Sequence, residues 1–188
     1  MSTGRGLIAL VTGLVVLTAA CVYWFAFRGD DSSAGAAGAT STNQSTTLPD
    51  NNFKVAGVPF TFSYPGKFAP GKETTGFVWI AGISPVDILD LRRVDDREYS
   101  AQGMNQVMGD KLNGQQGVKV LGSGTDSAGG KKVVTFTVQS GTTTPLRSKL
   151  VYFSAGGSSW QLECQSQSVN RAAIEAACAQ ALATLDFA

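Results

Sequence analysis

The stretch WQLECQSQSVNRAAIEAACAQALATL, Trp160 to Leu185, decides how the chain folds. Its first five residues alternate. Trp160, Leu162 and Cys164 fall on one side of an extended strand, and Gln161 and Glu163 on the other. After Asn170, an N-cap candidate, the period becomes helical, and Ile174, Ala177, Cys178, Ala181, Leu182 and Leu185 share one apolar stripe. An alanine-rich stripe has little value unless buried, so the helix is expected to lie against the sheet. Two independent periodicities then bring Cys164 and Cys178 to one interface. A bridge there would close a loop worth about 3 kcal/mol on the chain-entropy account. The competing reading, two buried free thiols in a cytosolic protein, fits poorly with the N-terminal segment described below. The expected disulfide removes both sulfurs from catalysis and metal binding, and it calls for an oxidising compartment.

Working back along the chain, Lys132 to Gln139 alternates as a half-buried strand, with Val134, Phe136 and Val138 on one side and Thr135 and Thr137 on the other. Lys149 to Phe153 and Ser159 to Gln165 read as strands, joined by Ala155-Gly156-Gly157. Neither that turn nor Ser140–Pro145 is long enough for a crossover helix, so hairpins are implied. Val118 to Leu121 is another strand, followed by a glycine-rich turn around Asp126 to Gly130. Upstream, Phe60 to Tyr64 alternates and ends at Pro65-Gly66, and Phe77–Ile80 and Val86–Leu91 follow as strands. Asp95 and Asp96 are N-cap candidates for a helix reaching about Leu112, with Met104, Val107, Met108 and Leu112 at helical spacing and Asn113-Gly114 closing it. The fold class is α+β: an antiparallel β-sheet flanked by helices, with the last helix across one face and a transmembrane helix ahead of the domain.

That leading segment, Leu7 to Phe27, carries no charge and no proline. As a helix it would be about 31 Å long, matching a bilayer's hydrocarbon core. Tyr23 and Trp24 lie near its end, where aromatic rings favour the membrane interface. Arg5 and Arg28 flank both ends, so charge orients it weakly, and the disulfide argument places the N-terminus inside. Two alternatives stand beside an uncleaved anchor. Leu17-Thr18-Ala19-Ala20-Cys21 resembles a lipobox that would make Cys21 the lipidated residue, although Thr18 stands where Leu or Val is usual. A cleaved signal peptide would need a shorter apolar run. All three put the domain outside the cytoplasm. Residues 28–52, rich in Gly, Ser, Ala, Thr and Asn, cannot bury enough apolar surface to offset their ordering entropy and read as a disordered spacer. The expected organisation is a short cytoplasmic start at 1–6, a membrane helix at 7–27, the linker at 28–52 and a folded domain at 53–188.

Composition narrows function. The chain has no histidine, which excludes His-based acid–base catalysis, Ser-His and Cys-His nucleophile pairs and His-ligated zinc. From Phe53 onward there are 13 basic and 11 acidic residues without a basic stripe, so nothing argues for nucleic acid. The glycines at 122–124 and 129–130 open no helix and are turns rather than phosphate loops.

The run Phe60-Thr61-Phe62-Ser63-Tyr64-Pro65 followed by Phe68 resembles the opening of the PsbP-like superfamily, and the order of strands, helix, hairpins and terminal helix is similar to that fold. The closing run from Trp160 through Cys178 to Phe187 is similar to actinobacterial membrane-anchored or lipid-anchored members. The resemblance covers Phe53 to Ala188 and implies a non-catalytic binding or assembly module. It carries over neither photosynthetic function nor Ran binding, since this chain has an anchor and no histidine.

The densest charge cluster, Asp87, Asp90, Arg92, Arg93, Asp95 and Asp96 continuing into Arg97 and Glu98, is read as a candidate docking patch, against the plainer reading of a solvated strand edge running into a capped helix. A hard-cation site there lacks EF-hand spacing. Trp79, Trp160, Tyr152 and Phe153 are either core or the lining of an apolar pocket. The expectation is a non-enzymatic module of the cell envelope, with no catalytic residue, metal or cofactor, binding a membrane or envelope protein. The alternative is a carrier or sensor of a lipid or other small apolar ligand, held between sheet and helix.

Overall fold

The computed structural model describes residues 49–71, 76–141 and 143–187. The segments expected to form the membrane helix and most of the spacer lie outside them. Among the described residues no helix is long and apolar enough to cross a membrane.

Seven antiparallel strands form the main sheet in the order β3-β4-β5-β9-β8-β7-β6. They are β3 (Ala69–Pro70), β4 (Trp79–Gly82), β5 (Ile88–Asp95), β6 (Val118–Ala128), β7 (Lys131–Ser140), β8 (Leu146–Ala155) and β9 (Ser158–Ser166). A second sheet of three, β1 (Asn51–Phe53), β2 (Phe60–Tyr64) and β10 (Asp186–Phe187), runs in the order β1-β2-β10. Helix α1 (Ala101–Asn113) joins β5 to β6, and α2 (Arg171–Ala183) follows β9 after a 3₁₀ turn at Ser168–Asn170. The order of strands and helices is the α+β arrangement expected from sequence. The first strand begins two residues before Phe53, where Asn51 and Asn52 pair with Tyr64 and Ser63.

Two glycine pairs make the long hairpins. Gly129-Gly130 and Gly156-Gly157 all have positive φ, between 54° and 78°, as two-residue turns matching the strand twist require. Space adds a second constraint at the first residue of each pair. A Cβ on Gly129 would sit 2.5 Å from the Leu185 carbonyl oxygen, and one on Gly156 would sit 2.6 Å from the Pro59 ring.

Both faces of the main sheet are covered. On one lie α2 and the small sheet, where Phe60 meets Phe153 edge-on at 4.9 Å and Trp160 at 5.1 Å. The Trp160 indole N–H donates to the Ala155 carbonyl at 3.0 Å, so its burial leaves no donor unpaired. On the other face α1 sets Met104, Met108 and Leu112 against Val134, Phe136, Val138, Leu150 and Tyr152. Trp160, Tyr152 and Phe153 are thus core, and Trp79 packs beside Phe53, Phe62 and Tyr64.

Three local expectations give way to tertiary pairing. Asp95 and Asp96 do not cap α1. β5 continues through a bulge to pair Asp95 with Ser159, and Ser100 caps the helix, its Oγ accepting from the Gly103 N–H at 3.1 Å. Asn170 holds the N-cap position of α2 as expected but makes no side-chain capping hydrogen bond, because its amide donates to Asp87 instead. Gly122-Ser123-Gly124 is not a turn but the middle of β6, a strand of 11 residues that bulges between Val120 and Gly122. The turn itself is confined to Gly129-Gly130.

Candidate functional site

The charged run from Asp87 to Glu98 separates into three environments, and only one is a surface. Asp87 is buried at the β4–β5 turn. It accepts hydrogen bonds from the Ser84 hydroxyl at 2.6 Å, the Asn170 side-chain amide at 2.7 Å and the Gln167 backbone N–H at 2.8 Å. Burial alone would push its carboxyl up, but these three donors outweigh that and hold it below the usual carboxylate range. Asp87 therefore ties the β4–β5 turn to the entry of α2.

Asp90 is also buried, on the α1 side of β5 opposite Glu163 of β9. The Arg92 guanidinium lies between the two carboxyls, 2.5 Å from Glu163 Oε2 and 3.4 Å from Asp90 Oδ1. Gln161 donates to the same Glu163 oxygen at 3.1 Å, and the Phe77 ring lies 4.8 Å from the guanidinium carbon. One cation serves two acids. Burial, then repulsion from Glu163, raises the Asp90 carboxyl well above its ordinary range, with Arg92 offsetting only part. Burial and Glu163 likewise raise the Tyr152 phenol.

The exposed remainder is the turn after β5. Arg93 pairs with Asp96 at 3.3 Å, and Arg97 pairs with Asp95 at 3.2 Å while Tyr99 donates to the other Asp95 oxygen at 2.7 Å. The Arg97 and Tyr99 hydrogen bonds lower the Asp95 carboxyl to about 2. Glu98 accepts from the Gly157 N–H at 2.9 Å, which fixes this turn beside the β8–β9 hairpin. Of the six residues of the patch expected from sequence, Asp87 and Asp90 face no solvent and Arg92 is half-buried, while Arg93, Asp96, Arg97 and Glu98 are the exposed charged side chains of this run. Among the described residues no three acidic or cysteine side chains gather where they could hold a metal ion.

Cys164 and Cys178 are bonded, with their Cα atoms 6.0 Å apart, and both are buried between β9 and α2. Next to this bridge, between α2 and strands β7 and β8, lies a cleft of about 260 Å³. Its lining is Thr137, Arg147, Lys149, Ser166, Ile174, Glu175 and the disulfide. The sheet register builds its floor, since Thr137, Lys149 and Cys164 are cross-strand neighbours, as are Arg147 and Ser166. Among the described residues neither Arg147 nor Lys149 forms an ion pair. A space between sheet and helix was expected, but with an apolar lining; the polar lining had a signal of its own, since Arg147 and Lys149 share strand parity with Val151 and Phe153, so period two puts these cations on the core face.

No protein-family model matches the chain, and no curated protein sequence matches it. Solved structures do. The solution structure of PsbP (CyanoP) from Synechocystis sp. PCC 6803 matches with a TM-score of 0.52 at 10% identity, over 84% of this chain and 98% of that one. The crystal structure of LpqN of Mycobacterium tuberculosis, described as involved in cell envelope biogenesis, matches with a TM-score of 0.52 at 12% identity, over 73% and 90%. The Saccharomyces cerevisiae Ran-binding protein Mog1p gives a TM-score of 0.48 at 10% identity, over 74% and 96%. The fold of the domain is PsbP-like, as the Phe60–Phe68 run led us to expect.

Proposed function

We propose that this PsbP-like domain is a non-enzymatic binding module of the cell envelope, held at the outer side of a membrane by its N-terminal segment and engaging a protein partner. The observation that carries the reading is that the cysteine pair and the buried carboxylates, the groups best suited to catalysis, are committed to the architecture. Cys164 and Cys178 are joined, Asp87 is saturated by three donors, and Asp90 and Glu163 share Arg92. What remains for a partner is surface, and the turn Arg93–Glu98 presents four charged side chains on a segment anchored by Tyr99 and Gly157. The envelope setting draws support from the disulfide, which persists in oxidising compartments, and from the fold shared with LpqN.

Crosslinking in intact cells followed by purification of the full chain tests the reading. A membrane or envelope protein should be recovered, and the charge-reversed pair Arg93→Glu with Arg97→Glu should lose it. Recovery of no such partner, or equal recovery with the reversed pair, would count against it. The alternative reading, a small apolar ligand between sheet and helix, has a space there, but Ile174 and the disulfide are the only apolar walls that space offers.

A further inference from the structure

We infer that the cleft between α2 and strands β7 and β8 is a binding site for a small phosphate ester that also carries a hydroxyl or ammonium group. This goes beyond the protein-binding reading and does not depend on it.

The argument starts from the chemistry of the lining. On the floor, Arg147 and Lys149 sit on the same face of β8, two residues apart, with Ser166 across from one and Thr137 across from the other. A guanidinium, an ammonium and two hydroxyls converge on one space. These cations are drawn onto the core face of the sheet and so lose part of their hydration, yet neither has a carboxylate within ion-pairing distance among the described residues. Elsewhere in the domain the half-buried cation Arg92 has found its acids. A donor-rich, cation-rich floor whose two cations have no carboxylate within ion-pairing distance among the described residues matches a tetrahedral oxyanion, which a guanidinium can grip through two parallel hydrogen bonds while the ammonium acts as a point charge.

The opposite wall sets the rest of the ligand. Glu175 lies on the helix side of the cleft. It disfavours a bare polyanion and accepts from a hydroxyl or ammonium a few ångströms from the phosphate. Arg171, one turn ahead of Glu175 on the same side of α2, has a buried Nε without a partner and adds positive charge to this helix stripe. The volume, about 260 Å³, suits a headgroup-sized molecule and is too small for an acyl chain as well. Such chemistry has two sources, a soluble phosphate ester and a phospholipid headgroup.

Calorimetric titration of the full chain in nonionic detergent tests the site, with sn-glycerol 3-phosphate and dihexanoyl phosphatidylglycerol as probes. Both should bind. The Arg147→Gln, Lys149→Gln double variant should weaken binding by about tenfold or more, the usual scale for lost charge-assisted hydrogen bonds. Lys119→Gln with Lys132→Gln removes the same charge outside the cleft and should leave binding unchanged. A clearly tighter fit of the lipid assigns the site to a membrane headgroup, and equal affinity assigns it to soluble esters. Absence of binding by both probes overturns the inference. So does wild-type affinity in the cleft variant, or an equal loss in the control pair, which would mark a diffuse charge effect.

Discussion

On the α2 face of the main sheet, the terminal helix is tied to β9 by a disulfide and lies beside the packed rings of Phe53, Phe60, Phe62 and Trp160. On the α1 face, the helix is held by Met104, Met108 and Leu112, and the sheet beyond it carries Asp90, Arg92, Gln161 and Glu163. The first face is rigid chemistry: a covalent bond and large rings whose burial contributes about 2–3 kcal/mol each. The second is adaptable, with flexible thioethers and an ion cluster whose desolvation cancels much of its attraction. The domain therefore has a face clamped by a covalent bond, with the saturated Asp87 at its helix entry, and a face carrying a crowded ion cluster; reductants should act on the first, and pH on the two with opposite sign.

The sharpest way to break this contrast is Phe60→Ala. It removes the ring shared by Phe153, Trp160 and Phe187 and should cost about 3–5 kcal/mol in denaturant unfolding. A loss below about 1 kcal/mol would show that the rings are not what closes this face. Replacing Cys164 and Cys178 together by Ala should lower stability by about 3 kcal/mol, given a sequence separation of 14, and should make the protein indifferent to reductant.

The two buried aspartates offer a pH test with opposite signs. The Asp90 carboxyl is raised in the folded state, so its favourable contribution is complete below the ordinary carboxylate pKa and is lost as pH rises through the folded value. Asp90→Asn should therefore raise the melting temperature at neutral pH and change it little near pH 4. The Asp87 carboxyl is lowered, so its contribution is present above the ordinary value and lost as pH falls through the folded one. Asp87→Asn should destabilise at neutral pH, with the difference shrinking in acid. Identical pH profiles for the two variants would refute the distinction between a saturated carboxylate and a crowded one. The smallest effect expected is for Ser100→Ala, about 1 kcal/mol from the lost α1 cap.

How much of this was legible in sequence depends on whether a residue's role is set locally. The stripe of α2 and the alternation of β9 are local periodicities, and together they were enough to pair Cys164 with Cys178. β5 was harder. Its run Ile88-Leu89-Asp90-Leu91-Arg92-Arg93 mixes buried acid with apolar residues, and only Arg92 and Glu163, which is far away in sequence, account for the buried Asp90. Asp95 looked like a cap, but its pairing with Ser159 carries β5 past it, and its side chain is taken by the neighbouring Arg97 and Tyr99. The position of Asn170 at the start of α2 was legible, but not the use of its side chain, which is drawn to Asp87, 83 positions away. Gly122 and Gly124 carry turn chemistry, yet β7 supplies a full partner along their length and wins. The cationic lining of the cleft escaped because cations in a strand are ordinarily assigned to solvent, although the parity of Arg147 and Lys149 with Val151 pointed inward.

The most direct test of the clamped face is a peptide-level thiol map of the full chain, isolated from cells with an alkylating agent present throughout. The peptides containing Cys164 and Cys178 should remain unmodified until reductant is added and should then both be alkylated. Alkylation of both without reductant would contradict the bridge in the cell, remove the support for an oxidising compartment, and return both sulfurs to the list of candidate reactive groups.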